Sequence, residues 1–202
     1  MNTQQIPKPI KLEGAIKLAL EAHSGQMRQG GRLPYIVHPL DVMTRAIGFG
    51  ITCPITLCAS VLHDVDEDTD RTLEEIRNFF GNEVADTVAL LTKPTRIEGT
   101  RADRFEAMCV KLDGGDTLHH RAQTIKMIDR LSNLHSMGMA GWEDWKQKRY
   151  VREGLSMADR WNRTHPAISA ALFNFCREML DTIDTVAGAE VGDQIDDLQG
   201  RN

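Results

Sequence analysis

Cysteine is scarce. Its four residues, at positions 53, 58, 109 and 176, form no CxxC pair and are too sparse for a disulfide scaffold in a chain of 202 residues. A closed thiolate zinc site is excluded with them. Cys58 and Cys109 sit in apolar helical patterns and are expected as small buried hydrophobes of a protein kept in a reducing cytoplasm. Long apolar runs are missing too, since none approaches the roughly 18 residues that a membrane span requires. The segment from Met1 to Pro9, with two prolines, one lysine and scattered apolar side chains, lacks the pattern of a signal or transit peptide, so no membrane partner is expected. Nor is there a long basic run. The chain has 24 Lys and Arg against 29 Asp and Glu, a net charge of -5, which argues against nucleic acid as a partner.

What is present is ordinary globular composition, 41% hydrophobic and 26% charged, so a folded chain is expected. Residues 1–187 are read as one domain, large enough to bury roughly 70% of its unfolded surface without a disulfide or structural metal. Apolar residues recur at three- and four-residue spacing, and alternation of strand length is almost absent, which predicts an all-α bundle of about eight to ten helices. Leu12, Ile16, Ala19 and His23 share one face of a first helix closed by Gly25, and Pro39 suits the first turn of a second that runs to about Phe49. Thr52 is expected to cap a third, apolar helix that continues through Leu62 and delivers His63 and Asp64. Thr72 with Glu75 fits a capping box, Gly81 closes that helix, and Asn82 is expected to cap the next, which runs to about Thr92. Thr100 caps a helix ending near Gly114, and the period resumes at Thr117 through Ile125, Ile128, Leu131 and Leu134. Helices over roughly 143–164 and 166–186 complete the bundle. Trp142, Trp145 and Trp161 are expected in helix packing rather than as a base-stacking platform. Residues 188–202, with Glu190, Asp193, Asp196 and Asp197 and little to bury, predict a frayed, disordered acidic tail. Exposed helix faces leave a homo-oligomer open.

The oddest segment runs from Asp64 to Asp70, five carboxylates in seven residues with no base before Arg71. Mutual repulsion there would be relieved by a cation, although a solvated acidic helix end is the plain alternative. His63 immediately precedes it, placing an imidazole beside a carboxylate. His38 and Asp129 are further candidate ligands, and two His with two Asp suit a borderline divalent ion such as Mn, Fe, Co or Zn. If the helix continues past His63, Glu67 and Asp68 lie one turn beyond His63 and Asp64, where they could orient and deprotonate a water that the ion acidifies. Asn133 follows Asp129 by one turn, and Lys126 and Arg130 flank it as groups able to reach an oxyanion.

Taken in order, Ala22-His23-Ser24-Gly25-Gln26-Met27-Arg28, Tyr35-Ile36-Val37-His38-Pro39, His63-Asp64-Val65-Asp66-Glu67-Asp68-Thr69, Leu90-Leu91-Thr92-Lys93 and Ile125-Lys126-Met127-Ile128-Asp129-Arg130-Leu131-Ser132-Asn133 closely resemble the hydrolase domain of RelA/SpoT-type alarmone enzymes. The length is similar to that of the small stand-alone, metazoan SpoT homologue-like members. The resemblance implies an HD-domain helical bundle and a hydrolase, usually Mn-dependent, that releases pyrophosphate from the 3′ position of guanosine tetra- or pentaphosphate. It implies His38, His63, Asp64 and Asp129 as metal ligands and Glu67 and Asp68 as the water-activating pair. Arg28 would clamp the nucleotide near its base, while Lys126 and Asn133 would border its phosphates and ribose and Arg130 would help neutralise phosphate charge. Gln29 stands where the family often carries a second base, and Asp66 where an apolar residue is usual. Adenosine alarmones, the 2′-phosphate of NADPH, a nucleotidase reaction and a non-catalytic alarmone-binding module are the alternatives weighed against the guanosine substrate.

Overall fold

The computed structural model describes residues 11–30, 32–93, 99–136 and 141–199, with side chains described as far as residue 185. Their regular structure is helical: α1 (Leu12–Ala22), α2 (Val37–Gly48), α3 (Pro54–Leu62), α4 (Val65–Asp68), α5 (Leu73–Phe80), α6 (Asn82–Leu91), α7 (Arg101–Leu112), α8 (Thr117–Ser136), α9 (Asp144–Arg160) and α10 (Pro166–Gln199). The all-α expectation is met. Several boundaries fall where local chemistry puts them. Thr72 and Glu75 exchange both bonds of a capping box at α5, and Thr100 and Asp103 do the same at α7. Gly81, at φ 88°, supplies the left-handed turn between α5 and α6 that a side chain would strain.

Two helices form the centre. Every residue of α3 from Thr56 to Leu62 is buried, and α3 packs against α1, α2, α6 and α8. A helix apolar all round must be enclosed in this way. α8 buries Ile125, Met127, Ile128, Leu131 and Leu134 against α2, α3, α6, α9 and α10. Because α3 ends at His63 and α8 carries Asp129 at mid-length, the core itself holds two candidate ligands in place. The first turn of α2 brings His38 to the same depth.

Other boundaries differ from expectation. Cys53, not Thr52, caps α3, because Pro54 occupies the first helical position where its missing N–H costs nothing. Gly81 occupies the cap of α6, and Asn82 instead accepts from Arg77. The third helix does not run on through the acidic segment. It stops at Leu62, His63 and Asp64 form a turn, and the four residues of α4 follow. Asp68 still donates its N–H to Asp64 O (2.9 Å), so that pair keeps the one-turn spacing. α9 ends at Arg160, short of Thr164. The backbone of α10 continues to Gln199. Trp161 is buried and donates to Asp113 (3.0 Å), and Trp142 packs edge-on to Tyr150, as packing residues should. Trp145 is 62% exposed and joins no core.

Candidate metal centre and nucleotide cavity

His38 (α2), His63 (end of α3) and Asp129 (α8) are buried, and their ligand atoms lie within 4.8 Å of one another. His38 Nε2 is 3.1 Å from Asp129 Oδ1 and 3.6 Å from Asp64 Oδ2, while His63 Nε2 is 3.0 Å from Asp64 Oδ2 and 3.8 Å from Asp129 Oδ1. Three of the four residues singled out in the sequence thus form one group, and Asp64 Oδ2 lies beside both of its imidazoles. Asp64 reaches it from the turn between α3 and α4, in the bridge region of backbone space (φ -103°, ψ -2°) where many active-site residues sit.

Each ligand is oriented from behind. His63 Nδ1 lies 2.8 Å from the carbonyl of Ser60, which can only accept, so Nδ1 carries the proton and Nε2 faces the carboxylates. His38 Nδ1 meets Ser132 Oγ at 3.1 Å. Asp129 accepts from Lys126 Nζ (2.8 Å) and Asn133 Nδ2 (2.6 Å), one turn to either side on α8. Tyr35 donates to Asp64 (2.6 Å) and to Asp68 (3.3 Å).

The residues fit a divalent cation. Buried His63 Nε2 makes no hydrogen bond among the described residues although two carboxylates face it, an arrangement that needs a positive charge at the shared point. Titration tells the same story. Burial pushes His63 down, but the Asp64 and Asp129 carboxylates raise it further, to about 10. Burial also raises Asp64 and Asp129, yet His63 for the former and Lys126 for the latter hold both below the usual carboxylate range. Burial likewise opposes the charge on Lys126, which Asp129 restores and strengthens. Two neutral imidazoles and two carboxylates are the oxygen- and nitrogen-rich set that suits Mn or Zn.

Over this cluster opens a cavity of about 350 Å³, lined on one side by His38, Asp64, Asp68 and Asp129 and elsewhere by Lys93, Arg101, Arg104, Lys126, Asn133 and Tyr150. Asp68 looks into it, and burial first, then Asp64 and Glu67, raise its carboxyl above the ordinary range. Glu67 does not line the cavity; it pairs with Lys93 Nζ and accepts from the Lys93 N–H (3.0 Å). Arg28 arrives through a folded-back segment in which Arg28 N–H donates to Leu33 O (2.8 Å) and Tyr35 N–H to Gln26 O (2.9 Å). Its guanidinium donates to Asn133 Oδ1 (3.0 Å) and Ser136 Oγ (2.8 Å), beside a hollow of about 200 Å³ that His38 also lines. Arg130 departs furthest from expectation. It borders the cavity but is buried, donating to Glu153 (3.1 Å) and to Tyr150 O (3.0 Å), because α9 presents a carboxylate to it. Tyr35, Lys93, Arg101, Arg104 and Tyr150 were not singled out beforehand. The i, i+3 pairing of Arg101 with Arg104 just after a capping threonine was the available signal.

The HD domain family matches residues 15–158, and the chain belongs to it. Among curated relatives, a GTP pyrophosphokinase of Streptomyces coelicolor is 36% identical over 150 residues, 73% of this chain and 17% of that protein. A guanosine-3′,5′-bis(diphosphate) 3′-pyrophosphohydrolase of Aquifex aeolicus is 32% identical over 149 residues, 73% of this chain and 20% of that protein. The chain thus spans no more than about a fifth of these relatives. A solved structure of a metazoan ortholog of SpoT that hydrolyzes ppGpp superposes with a TM-score of 0.74 at 25% identity, covering 83% of this chain and 94% of that one.

Proposed function

We propose that this chain is a divalent-metal-dependent hydrolase that removes the 3′-pyrophosphate from guanosine 3′,5′-bis-polyphosphate alarmones, leaving GDP or GTP. One observation carries the reading: two imidazoles and two aspartates meet at the floor of a cavity whose other walls carry lysine and arginine. The pyrophosphohydrolase named among the relatives and the ppGpp-hydrolysing ortholog support the substrate.

His38, His63, Asp64 and Asp129 would hold the cation, by preference Mn2+. Bound there, it would polarise a phosphoryl oxygen and acidify water. Asp68, whose carboxyl is raised and faces the cavity, takes the proton of the attacking water as the bond between the 3′ oxygen and phosphorus breaks. Glu67 completes the pair by fixing Lys93 at the rim. Tyr35 holds Asp64 and Asp68 in register. Arg28 and Asn133, hydrogen-bonded to each other, grip the base and ribose side, and Lys126 meets phosphate. Arg130, paired with Glu153, stands in the cavity wall. The protein is read as cytoplasmic, with residues 1–187 as one metallohydrolase domain; among the described residues no helix is long and apolar enough to cross a membrane.

The test is product analysis. Mn-loaded protein given guanosine and adenosine 3′-pyrophosphates, NADPH and simple nucleotides is expected to release pyrophosphate from the guanosine compound at the highest kcat/KM. Phosphate release from a monophosphate or NADPH would favour another HD phosphohydrolase, and a nucleotide complex that persists for hours with metal present would favour a binding module.

A further inference from the structure

One carboxylate in the wall of the same cavity serves two cations. Glu153, 9% exposed on α9, accepts from Arg101 Nε (2.8 Å) and Nη2 (2.9 Å) on α7 and from Arg130 Nη1 (3.1 Å) on α8. The Tyr150 ring lies one turn away on α9, with the Arg130 guanidinium 3.7 Å and the Arg101 guanidinium 5.8 Å from its centre. Three helices are thus tied together at the wall of the same cavity that His38, Asp64 and Asp129 line. Two guanidiniums and one carboxylate leave one net positive charge there. Among the described residues Arg101 Nη1 has no hydrogen-bond partner, so a donor remains for a ligand.

We propose that Glu153 is a positioning residue, which holds Arg101 and Arg130 side by side over Tyr150 as a preassembled site for those phosphates of the substrate that lie away from the metal. The inference rests on the phosphohydrolase reading above. Its physical basis is repulsion: without the carboxylate, two like charges would share a partly buried wall, Arg130 would be left as an uncompensated buried cation, and Arg101 would swing to solvent. A substrate with phosphate at both 3′ and 5′ positions needs counter-charge at two separated places, and only the end beside the His/Asp cluster has the metal to supply it.

The experiment compares KM and kcat for guanosine 3′,5′-bis(diphosphate) and for guanosine 3′-diphosphate without any 5′ phosphate, in wild type and in Glu153→Gln, with Mn2+ stoichiometry and Tm measured on both proteins. Glu153→Gln is expected to raise KM for the first substrate about tenfold more than for the second, while still binding one Mn2+. Equal change on both substrates, or none on either, overturns the proposal. Should Glu153→Gln fold poorly, Arg101→Gln leaves Glu153 paired with Arg130 and is expected to show the same selective rise. Failure of the hydrolase reading shows separately, as wild type turning over neither substrate. In that event calorimetry of inorganic pyrophosphate on the metal-free protein decides, with weaker binding by Glu153→Gln expected and equal binding contradicting the proposal.

Discussion

At His63 the chemistry of the centre is concentrated in one ring. Its Nδ1 proton is committed to Ser60 O, so the opposite nitrogen faces Asp64 and Asp129, where a proton and a cation would compete for the same place. Side chains that aim the ligands should therefore matter for affinity. Asn133→Ala, which removes a 2.6 Å donor from Asp129, is expected to weaken Mn2+ binding by about 10- to 100-fold in calorimetry. Asp68→Asn is expected instead to keep the metal and lower kcat by about 10² or more, and Glu67→Gln, which loosens Lys93 at the rim, to keep the metal with a smaller loss of rate. Equal loss of metal in those variants would contradict their assignment. Asp68 must be ionised to accept a proton, and its carboxyl is raised by burial, Asp64 and Glu67. The rate should accordingly fall, as pH falls, at a pH above the ordinary aspartate range, and this limb should vanish in Asp68→Asn. The two His and two Asp could be picked out in the sequence because unlike ligand types stood beside each other or beside family-like segments. Arg130 could not be sorted from Lys126, since both flank Asp129 and only the approach of α9 decides which is buried against Glu153.

Whole helices follow from spacing and caps, and those caps are individually testable. Thr72→Ala removes one half of a reciprocal capping box and is expected to cost about 1 kcal/mol in denaturant unfolding. Gly154 on α9 shows a tighter constraint, because a Cβ there would lie 2.7 Å from Cys176 Sγ on α10. Gly154→Ala is expected to destabilise the protein by about 1–3 kcal/mol, and a neutral effect would mean that α9 and α10 pack less closely than described. Thiols report on the same packing. Burial pushes Cys58 and Cys109 up to about 11 and Cys176 up to about 12. Burial also raises Cys53, but hydrogen bonds from the Thr56 and Ile55 amides at the start of α3 bring it below the normal value. At pH 8 one of the four thiols should react rapidly with an aromatic disulfide. What spacing could not reveal was the break after Leu62. The residues on both sides fit a helix, and the turn that interrupts it sets Asp64 against His38 on α2 and His63 against Asp129 on α8.

Across the whole molecule, a chain of net charge -5 is expected to act on a polyanion. The conflict is resolved locally. Carboxylates line the floor of the cavity where a dication would reverse the sign, and Lys93, Arg101, Arg104 and Lys126 line the remainder. Bundle topology makes this division, for α2, the turn after α3 and α8 fix the floor from within the core, while α7 brings Arg101 and Arg104, Lys93 follows α6, and Lys126 stands one turn from Asp129 on α8. The most direct test is a Mn2+ titration of wild type and of Asp129→Asn, following the free ion by electron paramagnetic resonance. One ion per chain should bind to the wild type and be lost in the variant, whereas no saturable site, or equal binding by both proteins, would contradict a centre built from His38, His63, Asp64 and Asp129.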